Sequence, residues 1–281
     1  MIAGTLYGVS RWGVLAALIV CDALLRLALI TISIAFTQDT TILAWMVVAP
    51  LPLALLLLAP VLKRTLRGRS QLDVGYKQLT WNTSKTVTAS ISTALIVSGF
   101  PLILGVTSHD LAPALLGESI FVITLTRAPL VITVMSLQSY LVVRFKDAAG
   151  RLWSVFGVVV GIILAATAVL VVLGWFFGLW ALNLVAGAPL HIEPSLIAVL
   201  VFSSALVAVL SVTGAAVLSR SHHVAYAAGW VLAATITMIA LALPIDFLVR
   251  LEVALVLGPL TGIILHLASM TSIRSSGHKL R

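Results

Sequence analysis

A guanidinium in an apolar run is the group in this sequence best placed to do chemistry. Arg127 lies within Glu118–Lys146, ESIFVITLTRAPLVITVMSLQSYLVVRFK, with Pro129 two residues on and Gln138 further along. The stretch is long and apolar enough for a bilayer-crossing helix, which needs about 20 residues. A charge at that depth costs at least ~2.5–3.5 kcal/mol, so it faces other helices or a wet cavity. Helical residues advance by about 100°, so Gln138 returns to nearly the face of Arg127, and Thr124 and Val131 lie close to that stripe. Pro129 removes a backbone donor and predicts a kink. No acid stands three or four residues from Arg127, and Glu118 falls on the opposite face. Its partner is therefore another helix, a carbonyl or an anionic ligand. A planar guanidinium is a good bidentate receptor for phosphate.

A second pair of charges, Asp22 and Arg26, sits four residues apart in an earlier apolar run, with the acid first. That spacing and order favour an ion pair on one helical face. The pair either pins its helix to neighbours or forms the polar wall of a transport cavity. His222 and His223 follow Arg220 at a turn with no acid or Cys beside them in sequence, which points to an interfacial turn rather than a metal site. His266 follows Gly258, Pro259 and Gly262, where glycines permit close helix packing. No paired-carboxylate site, nucleophile elbow, phosphate loop or zinc helix is present, so catalysis is not expected, nor is any cofactor or metal.

The elements that must position these residues are membrane helices. The chain has 281 residues, 61% hydrophobic and 9% charged, where a soluble domain carries nearer a quarter charged residues. Eight spans are expected, near 12–36, 42–62, 86–106, 118–143, 153–176, 195–218, 224–243 and 251–271. One side receives Arg11, Lys63, Arg64, Arg67, Arg69, Lys77, Lys85, Arg144, Lys146, Arg151, Arg220, Arg274, Lys279 and Arg281, and the other only Arg250. That bias predicts both termini in the cytoplasm and explains the net charge of +8 by topology, with no nucleic-acid partner. The lone Cys21 excludes an internal disulfide framework. No cleavable leader is expected, because the first apolar segment is too long and holds Asp22 and Arg26. Phe177–Pro194 reads as the longest outer loop, with Trp175 and Trp180 at the interface.

Several segments, taken together, resemble one family. GVSRWGVLAALIVCDALLRLAL is similar to the fifth-helix region of bacterial polysaccharide flippases of the multidrug/oligosaccharidyl-lipid/polysaccharide exporter superfamily. TLTRAPLVITVMSLQSYLVVRF resembles their eighth helix, AVLSRSHHVAYAAGW the turn entering the eleventh, and LPIDFLVRLEVALVLGPLTGIILHL the last two helices. The resemblance implies two six-helix lobes around a central cavity, with substrate passed by alternating access. It implies that Asp22 and Arg26 belong to the first lobe and Arg127 and Gln138 to the second; these four are the candidate substrate-binding residues. Counterparts of the first four helices are missing.

The expected architecture is therefore an all-α integral membrane protein. Residues 1–62 form two transmembrane helices, the remnant of a first lobe; 63–85 a basic cytoplasmic linker; 86–271 a complete six-helix lobe; and 272–281 a cytoplasmic tail. The resemblance implies a flippase or translocation component for a polyprenyl-phosphate-linked polysaccharide precursor in a bacterial plasma membrane, with a second membrane chain supplying the missing helices. The alternative is a non-transporting membrane subunit or scaffold of a glycan-assembly complex.

Overall fold

The computed structural model describes residue 6 and residues 11–66, 75–108 and 111–277. Its described elements are helices, in two compact units, Met1–Gly75 and Tyr76–Arg281. Seven helices are long and apolar enough to cross a membrane, and eight spans result if one bent pair counts as a crossing. The chain is a multi-pass, all-helical membrane protein.

In the first unit, α1 spans Trp12–Phe36, α2 Thr40–Val48 and α3 Pro50–Leu66. The Asp39 carboxylate caps α2 by accepting the Thr41 amide at 2.8 Å, satisfying one of the orphan donors at a helix start. Ala49 keeps helical dihedrals between α2 and α3, so Thr40–Thr65 is one membrane-length span. Leu15 and Leu18 of α1 bury against Ala54 and Leu62 of α3, with Leu6 in the same cluster.

In the second unit, α4 covers Tyr76–Val97, α5 Phe100–Thr107, α6 Pro113–Ser136 and α7 Gln138–Asp147. They are followed by α8 (Leu152–Ala186), α9 (Pro194–Ser219), α10 (His223–Leu241) and α11 (Phe247–Gly277). Helix α9 is the central one: most side chains from Leu196 to Val217 are buried, and it packs against α6, α7, α8, α10 and α11. Its apolar character all round explains that position. Ser203, Ser204, Ala208, Ser211 and Gly214 let its neighbours approach closely, as small residues do between membrane helices. The buried hydroxyls stay satisfied on their own helix, Ser204 donating to the Leu200 carbonyl at 2.8 Å and Ser211 to Val207 at 3.0 Å.

The bent pair is α4 and α5, which meet at Ser98–Gly99 with a 64° bend. Pro101 explains the break. A proline ring clashes with the carbonyl four residues earlier and offers no N–H to it, and that carbonyl belongs to Val97, where α4 ends. The Ser-Gly pair ahead of it is a common place for a sharp kink. Together α4 and α5 run the length of α10. Lys85 of α4 lies within electrostatic reach of His223 at the start of α10. Ser108, just after α5, accepts a 2.8 Å hydrogen bond from Arg250, near the start of α11. Since α11 begins where α10 has returned, these contacts lie at opposite ends of α10.

Four expected boundaries change. The helix carrying Arg127 starts at Pro113 and breaks at Leu137, not at Pro129, which stays inside α6. Helix α8 continues to Ala186, so Trp180 and Asn183, expected in a loop, are helical. Nothing in Phe177–Ala186 stops a helix, whereas Gly187 adopts the left-handed conformation (φ 68°) that terminates one. Helix α4 begins at Tyr76, inside the stretch expected as linker to residue 85, and residues 67–74 of that linker lie outside the described residues. Helix α11 reaches Gly277 and so overlaps the expected tail, of which 278–281 lie outside the described residues.

Candidate functional site

Arg127 projects from the middle of α6 into an open cleft of about 340 Å³. Ser98 and Phe100 come to the cleft from the α4–α5 break, and Thr124 and Val131 from the same stripe of α6. The guanidinium lies over the Phe100 ring, 5.3 Å from its centroid, a cation–π contact that supplies attraction without neutralising the charge. Arg127 is only 6% exposed. Its Nε has no hydrogen-bond partner, and among the described residues no acid reaches the group. A buried cation without a counter-charge is costly in a low-dielectric surrounding. The cleft is the place where an anion would remove that cost.

Gln138 opens α7 and lines a neighbouring cleft of about 320 Å³ with Ser90, Thr93, Ser98 and Tyr226. Val97 and Ser98, the residues at the α4–α5 break, line both clefts. Arg127 and Gln138 are thus brought to adjoining spaces, although the helix between them is interrupted. The Gln138 amide donates to the Tyr226 hydroxyl at 3.4 Å. Tyr226 and the Ser98 break were not anticipated from sequence. The Ser98-Gly99-Phe100-Pro101 run carried a readable signal for the break, whereas a single Tyr near a turn carries none.

The Asp22 and Arg26 side chains do pair, at 3.1 Å. They lie in the first unit, and with Arg26 44% exposed the pair is only partly covered by the described residues of that unit. Arg127 and Gln138 belong to the second unit. Glu118 is engaged by the segment before α9, accepting from the His191 amide at 3.1 Å.

His266 of α11 is fully buried and ties three helices together. Its Nε2 faces the Tyr226 carbonyl of α10 at 3.2 Å, and its Nδ1 faces the Thr213 hydroxyl of α9 at 2.9 Å. The carbonyl can only accept, so Nε2 carries a hydrogen. The imidazole occupies the space left by Gly229, where a Cβ would collide with it. This is a packing device, and the glycines of α10 and α11 serve it. A third cleft of about 410 Å³, between α6, α8 and α9, is apolar but for Thr126 and Ser204. Among the described residues, no group of three His, Cys, Asp or Glu side chains converges on a possible metal position.

Among curated proteins, the uncharacterized protein Rv1510 of Mycobacterium tuberculosis is 32% identical over 272 residues, covering 95% of this chain and 62% of that protein. The chain is a relative of uncharacterized mycobacterial proteins. The uncharacterized proteins Rv3630 of Mycobacterium tuberculosis and Mb3654 of Mycobacterium bovis are each 29% identical over 267 residues, again covering 95% of this chain and 62% of theirs. The chain therefore spans about 62% of the length of the curated relatives it matches. Neither a family model nor a solved structure matches it.

Proposed function

We propose that this chain is a transport component, the lobe of a flippase that moves an anionic lipid-linked glycan across a bacterial plasma membrane. The substrate is a polyprenyl-phosphate-linked polysaccharide precursor. The observation that carries the reading is Arg127: buried, without an acidic partner among the described residues, and open to a cleft in the middle of a membrane helix. Its guanidinium receives the phosphate, and the break between α4 and α5 supplies irregular backbone beside the site, an arrangement membrane helices tolerate where they line a cavity. The segments that resemble polysaccharide flippases support the substrate class. No catalytic role is assigned to any residue. Since the chain covers 62% of its relatives' length, the export assay is made in cells that supply whatever partner chain it needs.

The test compares Arg127→Lys with Arg127→Gln in cells, reading protein abundance and glycan export together. Lys keeps the charge and loses the planar fork, so Arg127→Lys folds and exports at a reduced rate. Arg127→Gln folds and does not export. Normal export by a well-folded Arg127→Gln variant refutes the substrate role.

A second reading, a non-transporting subunit of a glycan-assembly complex, draws on the exposed Asp22–Arg26 pair. Charged groups on an uncovered face of a membrane helix call for a protein neighbour. In that case Arg127→Gln leaves export intact, and Arg26→Leu with Asp22→Leu releases the chain from its complex.

A further inference from the structure

The cleft between α4, α7 and α10 differs in chemistry from the one it adjoins. Among the described residues no charged side chain lines it, and its polar groups are hydroxyls and one amide: Ser90, Thr93, Ser98, Gln138 and Tyr226. Their hydrogen bonds leave part of their capacity unused. The Gln138 amide nitrogen donates to the Tyr226 oxygen, so the tyrosine's own hydrogen and the Gln138 carbonyl oxygen remain available. Thr93 spends its hydrogen on the Ala89 carbonyl at 2.8 Å and keeps its lone pairs. Donors and acceptors therefore both border one space. An ion finds no counter-charge there, and 320 Å³ is on the order of ten times the volume of one water, far more than a bare cation needs. Tyr226 is 7% exposed and its ring stacks on His266 at 6.4 Å, so the hydroxyl is held in place by the helix packing behind it.

We infer that this cleft is a binding subsite for a neutral polyhydroxyl group, such as one sugar ring, with Tyr226 and Gln138 as its specificity-determining residues. The inference rests on the reading of Arg127 as an anion receptor only for its neighbour. Ser98 borders both clefts, so a ligand with a phosphate on a sugar reaches both at once. A ligand with the phosphate alone engages only Arg127.

The experiment uses the full chain in lipid nanodiscs and reads the thermal unfolding midpoint at matched ionic strength. The probes are inorganic phosphate, methyl α-glucoside and glucose 1-phosphate. Ligand that binds only the folded state raises the midpoint by mass action. Glucose 1-phosphate is expected to protect at about tenfold lower concentration than phosphate, the scale of one or two net hydrogen bonds. Tyr226→Phe keeps the stacked ring and removes the hydroxyl, and Gln138→Leu keeps the side-chain volume. Each is expected to abolish that advantage while leaving protection by phosphate unchanged. An advantage that survives both substitutions overturns the subsite, as does its absence in the unaltered chain. A Tyr226-dependent shift with sodium chloride but not choline chloride assigns the cleft to a cation and also overturns it. Protection by methyl α-glucoside that Tyr226→Phe abolishes, with none by phosphate, supports the subsite and refutes the role of Arg127 instead.

Discussion

Arg26 and Arg127 carry the same guanidinium into apolar helices, and their surroundings separate their roles. Arg26 meets Asp22 one turn away at 3.1 Å and is neutralised on its own helix. Arg127 has the Phe100 ring and an open cleft. In water an exposed pair of this spacing contributes only ~0.2–0.5 kcal/mol. On a membrane helix the alternative to pairing is a lone charge, which costs ~2.5–3.5 kcal/mol at the helix centre. Asp22→Ala should therefore lower the amount of membrane-inserted protein more than Asp22→Ala combined with Arg26→Leu does. Fluorescence-detected gel filtration of solubilised membranes measures both. A double variant no better than the single one means that Arg26 leans on some other group.

At three positions between α10 and α11 a glycine of one helix makes room for a group of the other. A Cβ at Gly229 would strike the His266 imidazole, one at Gly258 the Thr237 hydroxyl, and one at Gly262 would stand 2.7 Å from the Gly229 carbonyl. Close approach of backbones is how membrane helices gain packing energy where lipid is as apolar as the protein. Gly229→Ala should cost ~1–3 kcal/mol by overpacking, seen as a lower unfolding midpoint in detergent. Adding His266→Ala should recover part of that loss, because it empties the space the methyl needs. Full additivity of the two losses would show that the ring and the glycine do not share that space. The same packing steadies Tyr226, whose carbonyl binds the ring and whose hydroxyl faces the Gln138 cleft.

At the scale of the molecule, the bent pair decides the parity of the spans. With α4–α5 crossing, eight spans return the chain to its starting side, and fourteen of the fifteen Lys and Arg residues outside spans share that side. Without it, Arg144, Lys146 and Arg151 would lie opposite Lys63 and Arg64, against the usual bias of basic loops. The electrostatic reach of Lys85 to His223 and the hydrogen bond of Ser108 with Arg250 run the pair from one end of α10 to the other. A topology reporter inserted between Ala112 and Pro113 should report the outer side, as should one near His191, while one after Arg281 reports the cytoplasm. A cytoplasmic signal at Ala112 removes the eighth span and the two-lobe comparison with it.

The apolar runs and the distribution of Lys and Arg determined the membrane class, the all-helical architecture and the approximate positions of the spans. Those are one-dimensional properties: a span needs length and apolarity, and both are written along the chain. The i, i+4 spacing of Asp22 and Arg26 determined their pairing for the same reason, since one helix supplies both partners. Only the tertiary structure decided that this pair is partly exposed within its own unit, that Arg127 finds an aromatic ring and, among the described residues, no acid, and that Gln138 meets Tyr226, 88 residues away. Those outcomes depend on which helix faces move together. An apolar helix surrounded by apolar helices or lipid leaves little periodic signal to specify that, as the near-uniform burial of α9 illustrates.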